Sequence, residues 1–516
     1  MKRRTLLGAT ASLPFAARTV AAQDAKTLRF VPQADLRVLD PIWTTAYVTR
    51  NFAYMVYDTL LGYDAQQRIR PQMVEEWAIL DGGLTYRFRL RPGLAFHDGQ
   101  PVRSIDCIAS LRRWGARDQT GLRLFAVLAS IEPEGDDTFL IRLQHPFPQL
   151  LACLAKVAGN PFVMPERLAR TDPNTQVTEV VGSGPFTFAR EEWLPGQRAV
   201  LLRNSKYVPR AEPPSGSAGG KVVYVDRVEW LVLSDPATIA AAMAAGEIDW
   251  WGYPTPDLVP LLRRTRSLAV RPSDPGGNMG ILVFNCLQPP FDRVAVRQAV
   301  AMAIDRSDYL QVMGGDQEFW IECDSSFPCG PGAAPPRKPD IEGARRLLKS
   351  SGYAGEPAVV LSAADQTIVQ LQASVTADVL RRIGMTVDLQ DMDSAGILSR
   401  RASQAPVSQG GWSIFHTWFD ASNLRDPAVN QTITAKGTKG WFGWPTDQPT
   451  EDLIQAWFDA PDEAAQAAGI RGLDRRLSET VPFLITGQFR APTASRSVVT
   501  GILDAPALFF WNVKKA

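Results

Sequence analysis

The stretch from Leu84 to Asp106, LTYRFRLRPGLAFHDGQPVRSID, constrains this chain more than any other. Leu84, Tyr86, Phe88 and Leu90 alternate with Thr85, Arg87 and Arg89, the period-2 pattern of a strand with one buried face. Asp98-Gly99 then supplies a tight turn, and Ser104 or Asp106 can cap a helix that begins near Ile105. The segment predicts strand, turn and helix in quick succession. The chain is therefore a mixture of both element types.

The first 22 residues read as an export signal. Lys2, Arg3 and Arg4 precede a short apolar run, Leu6 to Phe15, and Val20-Ala21-Ala22 offers a cleavage site near Ala22. Arg3-Arg4 followed by Thr5-Leu6-Leu7 has the wording of a twin-arginine signal, with Gly8 where that motif often has Lys, so twin-arginine and Sec routes both stay open. The first cysteine is Cys107, so no lipoprotein anchor is expected. No later apolar run is long enough to span a bilayer. The mature protein is expected in the periplasm, at most peripheral to the membrane. Removing residues 1–22 takes away four cations and no acid, leaving 51 Lys and Arg against 54 Asp and Glu, a net charge of −3. That balance argues against a nucleic-acid partner. Length allows two or three domains.

Apolar spacing predicts helices over Asn51–Leu60, Asp235–Gly246, Phe291–Ile304 and Gln366–Ile383. Met385 to Leu389 alternates as a strand, so the later half should hold a strand–helix–strand unit. Pro209–Gly220 reads as a surface loop, with strand patterning resuming at Val222. Of the five cysteines, Cys323 and Cys329 bracket a turn-rich loop and are the best candidates for a disulfide, although spacing alone leaves a fully reduced set open.

Four further segments extend the opening one: Gly182-Ser183-Gly184-Pro185-Phe186; Gly246-Glu247-Ile248-Asp249; Asn285 with Pro290-Phe291-Asp292; and Val296-Arg297-Gln298-Ala299 running to Asp305-Arg306. Together, in this order, they resemble the signatures of the family 5 extracytoplasmic solute-binding proteins, which deliver peptides, nickel and related solutes to ABC transporters. The resemblance implies an α/β fold of the two-lobe periplasmic-binding-protein kind (class II type), with an extra subdomain inserted in lobe one. Lobe one would hold residues 23–272 and 486–516, with the insertion at about 42–175, and lobe two residues 273–485. Two crossing strands near Val270–Phe284 and Phe483–Arg490 would form the hinge. The implied partners are a peptide or other small solute and the permease subunits of an ABC transporter; a monomer with no cofactor is expected.

The family motifs identify the fold and say little about the solute. Trp412, Trp418, Trp441 and Trp444 fall within 33 residues, where even scattering of 14 tryptophans would put about one. Aromatic walls beside one carboxylate suit a solute that is part apolar and part cationic. Asp420 with Asp426-Pro427 is similar to the region where peptide-binding members place the acid that meets the ligand's ammonium. The spacing is longer here, so Asp420 and Asn423 compete for that role. Trp412, Trp418, Trp441 and His416 are the accompanying candidates. Trp250 and Trp251 are expected either on the opposite wall of the cleft or in packing between lobes. Some dipeptide-binding relatives carry an arginine before the helix that ends at Gly384; here Leu361 to Gln366 has none, so another cation takes over or the solute is not a short free peptide.

No HExxH, GxSxG, SxxK or GxxxxGK occurs, and His97, His145 and His416 lie far apart in sequence, so the chain is not expected to be an enzyme or to hold a metal. A nickel or haem chelate, another non-peptide solute, or an exported hydrolase on the same scaffold are the alternatives. Of the histidines, His416 is the one that would meet a chelate.

Overall fold

The computed structural model describes residues 26–330, 333–460 and 462–516; the export segment lies outside them. Three sheets organise the chain. The first has seven strands in the order Phe186–Phe188, Arg198–Arg203, Arg227–Leu231, Thr27–Val31, Trp250–Trp251, Pro492–Arg496 and Leu268–Pro272. Thr27–Val31 runs parallel to both neighbours, and Leu28, Phe30 and Val31 are buried because both faces are covered. The second has six strands: Trp320–Ile321, Phe483–Phe489, Asn278–Phe284, Ile414–Asp420, Ala358–Ala363 and Val387–Met392. Its last two are parallel and joined by the helix Thr367–Arg382, the expected strand–helix–strand unit.

The third sheet is antiparallel, in the order Val74–Leu80, Thr85–Leu90, Thr138–Leu143 and Leu128–Pro133, and forms the subdomain inserted in lobe one. Thr85–Leu90 and the helix Ser104–Gly115 are the strand and helix of the opening stretch. Tyr86, Phe88 and Leu90 are buried, as the alternation requires. At the helix start the Arg103 N–H donates to Asp106 Oδ2 at 2.8 Å, so Asp106 rather than Ser104 closes the first turn. The interior of this subdomain runs without a break into the facing surface of lobe two, where Phe147 stacks on Phe458 at 5.5 Å.

The chain crosses between the lobes twice, from Leu268–Pro272 to Asn278–Phe284 and from Phe483–Phe489 to Pro492–Arg496. Ser273 N–H and Oγ both donate to the Ala491 carbonyl, at 3.0 and 3.1 Å, tying the two crossings together. Gly277 has φ +71°, and a Cβ there would lie 2.6 Å from the Phe489 carbonyl oxygen. The second crossing falls at 490–491, just past Phe483–Phe489, which pairs along its length with Asn278–Phe284.

The recurring motifs are scaffold. The His97 N–H donates to Gly182 O at 2.8 Å and its Nε2 lies 3.1 Å from Gly184 O, so two segments 85 residues apart dock on each other. Gly184 sits against the preceding helix: its N–H donates to Val56 O at 2.8 Å, and a Cβ would come within 2.6 Å of Met55 O. Close approach, not turning, fixes glycine there. Arg297 is buried and donates to Thr480 O at 2.7 Å and Val481 O at 2.8 Å, satisfying carbonyls at the end of the helix Glu463–Thr480. Asp249 accepts from the Arg29 N–H at 2.9 Å and pairs with Arg496 and Lys515, joining the first strand to the C-terminal tail. Cys323 and Cys329 form a disulfide, with Cα atoms 5.8 Å apart.

Two local expectations change. The helix expected over Asn51–Leu60 forms over Tyr47–Val56, one turn earlier, because Asp58–Thr59 leaves it to pair with Phe162–Val163. Val223 and Val225 are buried, but the strand begins only at Arg227.

Candidate functional site

That one-turn shift matters, because it puts Tyr47 and Arg50 on the same face of the helix that meets lobe two. Opposite them, Ile414–Asp420 ends at the hinge, with Asp420 beside Asn278. Arg50 Nη1 donates to Asp420 Oδ2 across the gap between lobes. Both side chains are almost fully buried, 4% and 3% exposed. Arg50 also donates twice to Asn51 Oδ1, both at 3.2 Å, and its guanidinium lies 4.0 Å from the centre of the Tyr47 ring. The Asp420 N–H donates to Tyr47 Oη at 2.8 Å, and Asn423 Nδ2 donates to Asp420 Oδ2 at 3.3 Å. Trp418 packs edge-on against Tyr47 at 5.2 Å and against Tyr253 at 6.1 Å.

Burial alone would lower the Arg50 pKa, but the Asp420 charge and hydrogen bond, together with Tyr47 and Tyr253, hold the guanidinium charged above its ordinary range. A second acid stands close by. Asp274, in the first hinge crossing, is pushed up to about 7 by burial and then by the charge of Asp420.

Beside this cluster lies a crevice of about 740 Å³, counting its open mouth, between the inserted subdomain and lobe two. Tyr47, Phe419 and Asn423 border it at the Asp420 end. Asp118, Thr120, Arg123 and Lys156 line the subdomain side, and Asn430 to Thr434 the lobe-two side. Lys156 donates to Asp118 at 2.6 Å and to Thr120 at 2.9 Å. Arg123 stands 3.7 Å from Glu451 and 5.2 Å above the Phe458 ring.

The sequence-derived candidates divide sharply. Asp420, Asn423 and Trp418 converge, and Trp441 packs on Phe419 at 6.0 Å, half-buried near them. Trp412 is sealed in the core with its Nε1 donating to Ser403 O at 3.2 Å, so it is no wall of the crevice. His416 points to the other face of its strand, beneath the helix Thr367–Arg382, with Nε2 2.7 Å from Thr376 Oγ1. Burial pushes it down to about 3, which keeps it neutral, and no chelate can reach it there. Trp250 and Trp251 also miss both expected places. They occupy a strand covered on both faces: Trp250 packs on Phe30 and Phe510, and Trp251 joins a separate cluster with Val31, Met243 and Leu262. Among the described residues no group of three His, Cys, Asp or Glu is placed to hold a metal, and no helix is long and apolar enough to cross a membrane.

Residues 68–441 match the model of the bacterial extracellular solute-binding proteins, family 5 Middle, a span longer than half of the chain. The protein belongs to this family. A probable peptide ABC transporter periplasmic-binding protein of Sinorhizobium fredii (strain NBRC 101917 / NGR234) is 38% identical over 522 residues, covering 99% of this chain and 97% of the relative. The glutathione-binding protein GsiB of Pectobacterium atrosepticum is 26% identical, covering 92% and 90% of the two chains. Among solved structures, the dipeptide-binding protein of Pseudoalteromonas sp. SM9913 in complex with Met-Leu superposes with a TM-score of 0.80 at 19% identity, over 95% of this chain and 100% of that one. The hinge, the crevice and the cross-lobe cluster all sit where the lobes of this family 5 solute-binding protein meet. Sequence reading missed Tyr47, Arg50, Tyr253, Asp274, Arg123 and Lys156. The i, i+3 pair Tyr47 and Arg50 was the one available signal, lost because the helix was expected to start at Asn51.

Proposed function

We propose that this solute-binding protein captures a peptide-like small solute in the crevice between its lobes and hands it, chemically unaltered, to the permease of an ABC transporter. The single observation that carries the reading is the crevice at the lobe junction, bordered by Tyr47 and Asn423, which contact the cross-lobe pair Arg50 and Asp420. A ligand that touches both walls binds the closed form better than the open one and so draws the lobes together. The S. fredii relative is named for peptide transport and the P. atrosepticum relative for glutathione, which supports a peptide-like solute. Release without chemistry is supported by the family and by the S. fredii relative, which are named for solute binding and transport. The protein would act as a monomer in the periplasm, exported by a twin-arginine or Sec signal cut near Ala22 and peripheral to the membrane.

Mass spectrometry of solute released from gently purified protein tests this directly. A recovered peptide should raise the stability of the solute-free protein by about 2.7 kcal/mol at 100-fold excess over Kd. Recovery of only a metal chelate or a non-peptide solute, or of cleaved products after incubation, would overturn the reading.

A further inference from the structure

Asp420 is the one acid of the cross-lobe cluster in contact with a lining residue of the crevice, and its charge is already met from within. Arg50 donates to its Oδ2, Asn423 donates to the same oxygen at 3.3 Å, and the rings of Tyr47 and Trp418 close round it. An incoming ammonium would have to expel a guanidinium that is 4% exposed and, among the described residues, makes no other salt bridge. It would leave that cation buried with only the neighbouring Asp274, held toward its neutral form by burial, to compensate it. The exchange replaces one charge-assisted bond by another and gains nothing to offset the loss.

The other end of the crevice has the opposite character. Its lining residues carry Arg123 and Lys156 against Asp118 alone. Asp118 is spent on Lys156 at 2.6 Å. Arg123 is held less tightly: Glu451 stands 3.7 Å away and also accepts the Ala435 N–H at 2.7 Å and faces Lys436 at 3.5 Å. A guanidinium lining the crevice, over the Phe458 ring and only loosely held by Glu451, can pair with a carboxylate there.

We infer that the crevice selects solutes with a carboxylate and no free ammonium, such as N-acylated peptides, because Arg50 holds the acid position from inside and Arg123 receives the carboxylate. The inference rests on the peptide reading above and narrows it to N-blocked members. Arg50 is thus a specificity-determining residue acting through Asp420, and Arg123 a direct ligand contact.

The test uses the solute-free full mature chain and three pools of the same random tripeptides: free, N-acetylated, and N-acetylated with an amidated C-terminus. Retained peptides are quantified by mass spectrometry. The acetylated pool should be retained at least ~10-fold over the free pool, and amidation should lower its retention by ~10-fold, since one charge-assisted contact is worth about that factor. Arg50→Met unblocks Asp420 and should reverse the preference; Arg123→Gln should abolish the amidation effect, and it lies outside the buried pair. Preference of the wild type for free peptides would overturn the inference and leave the peptide reading standing. Equal retention of acid and amide would overturn the Arg123 assignment. Retention of no pool would overturn the peptide reading itself, and this inference with it.

Discussion

The Arg50–Asp420 pair can be removed from either side or from both, and the three outcomes differ. Taking away one member of a buried ion pair leaves the other charge uncompensated, at a cost of about 3–5 kcal/mol, whereas replacing both by apolar groups of similar volume is near neutral. Here the partners lie on different lobes, with side chains 4% and 3% exposed, so the stranded charge has an escape that one compact core would deny it. The lobes can part and let water in. Parting breaks the Phe147–Phe458 stack, worth about 0.5–1.5 kcal/mol beyond its buried area, and separates Arg425 from Tyr63. Those losses, together with exposure of the apolar surface that the subdomain shares with lobe two, oppose the electrostatic gain, so the parting is partial. Arg50→Met and Asp420→Leu should therefore each shift the solute-free protein toward open lobes, read as a larger radius of gyration by X-ray scattering. The double variant should scatter like the wild type. A double-mutant cycle on urea unfolding should give a coupling of at least about 2 kcal/mol between the two sites. Coupling below about 0.5 kcal/mol, with all four proteins scattering alike, would refute the reasoning, because the pair would then support neither closure nor stability.

Asp274 faces Asp420, Arg50 and Asp504, and its pKa of about 7 lies above that of an unfolded aspartate. The folded state therefore holds this proton more tightly, so the stability it contributes is complete below about pH 4 and is lost as pH rises through 7. Asp274→Asn should be more stable than wild type at pH 8, by up to about 4 kcal/mol, with a flatter urea midpoint between pH 4 and 7; equal slopes would contradict this. Gly184→Ala drives a Cβ to 2.6 Å from the Met55 carbonyl and should cost about 1–3 kcal/mol in thermal unfolding without changing which solute is recovered. Trp412→Ala empties a sealed core site and should cost about 3–5 kcal/mol while leaving affinity unchanged. Trp418→Ala, half-buried against Tyr47 and Tyr253, should do the reverse, lowering affinity by ~10-fold in calorimetric titration of the recovered solute.

What the sequence made legible was local or carried by backbone. The alternation in Thr85–Leu90, the helix start at Asp106 and the strand–helix–strand unit ending at Met392 all follow from periodicity within one segment. The motifs were also readable, though their reasons were not. Gly182 and Gly184 show no reason of their own in the sequence, yet the structure uses them to let the chain pack against Val56, and only that partner, 128 residues from Gly184, shows why. Aromatic density was a poorer guide. Ile414–Asp420 alternates its side chains between two buried faces, so His416 was lost to the helix side, while Trp412, just ahead of the strand, and Phe415 went to the core. Of that strand only Phe419 lines the crevice, while Trp418 and Asp420 at its hinge end touch the lining residues Tyr47 and Asn423.

The charge of the site was the least legible property, for a reason specific to two-lobed folds. Whether an aspartate is free to meet a ligand depends on what the other lobe brings up to it, and Arg50 stands 370 residues away. Composition offers no help, since 55 cations and 54 acids leave any one pairing undetermined. On the family resemblance, Leu361–Gln366 lacks the arginine that some dipeptide-binding members would carry, and Asp420, the expected acid, is met from within by Arg50. On the inference above, these are two halves of one change. If both ends have moved in this way, restoring only one should not convert the chain to a receptor for free dipeptides. Arg50→Met combined with an arginine placed at Ser362 should bind them better than either change alone.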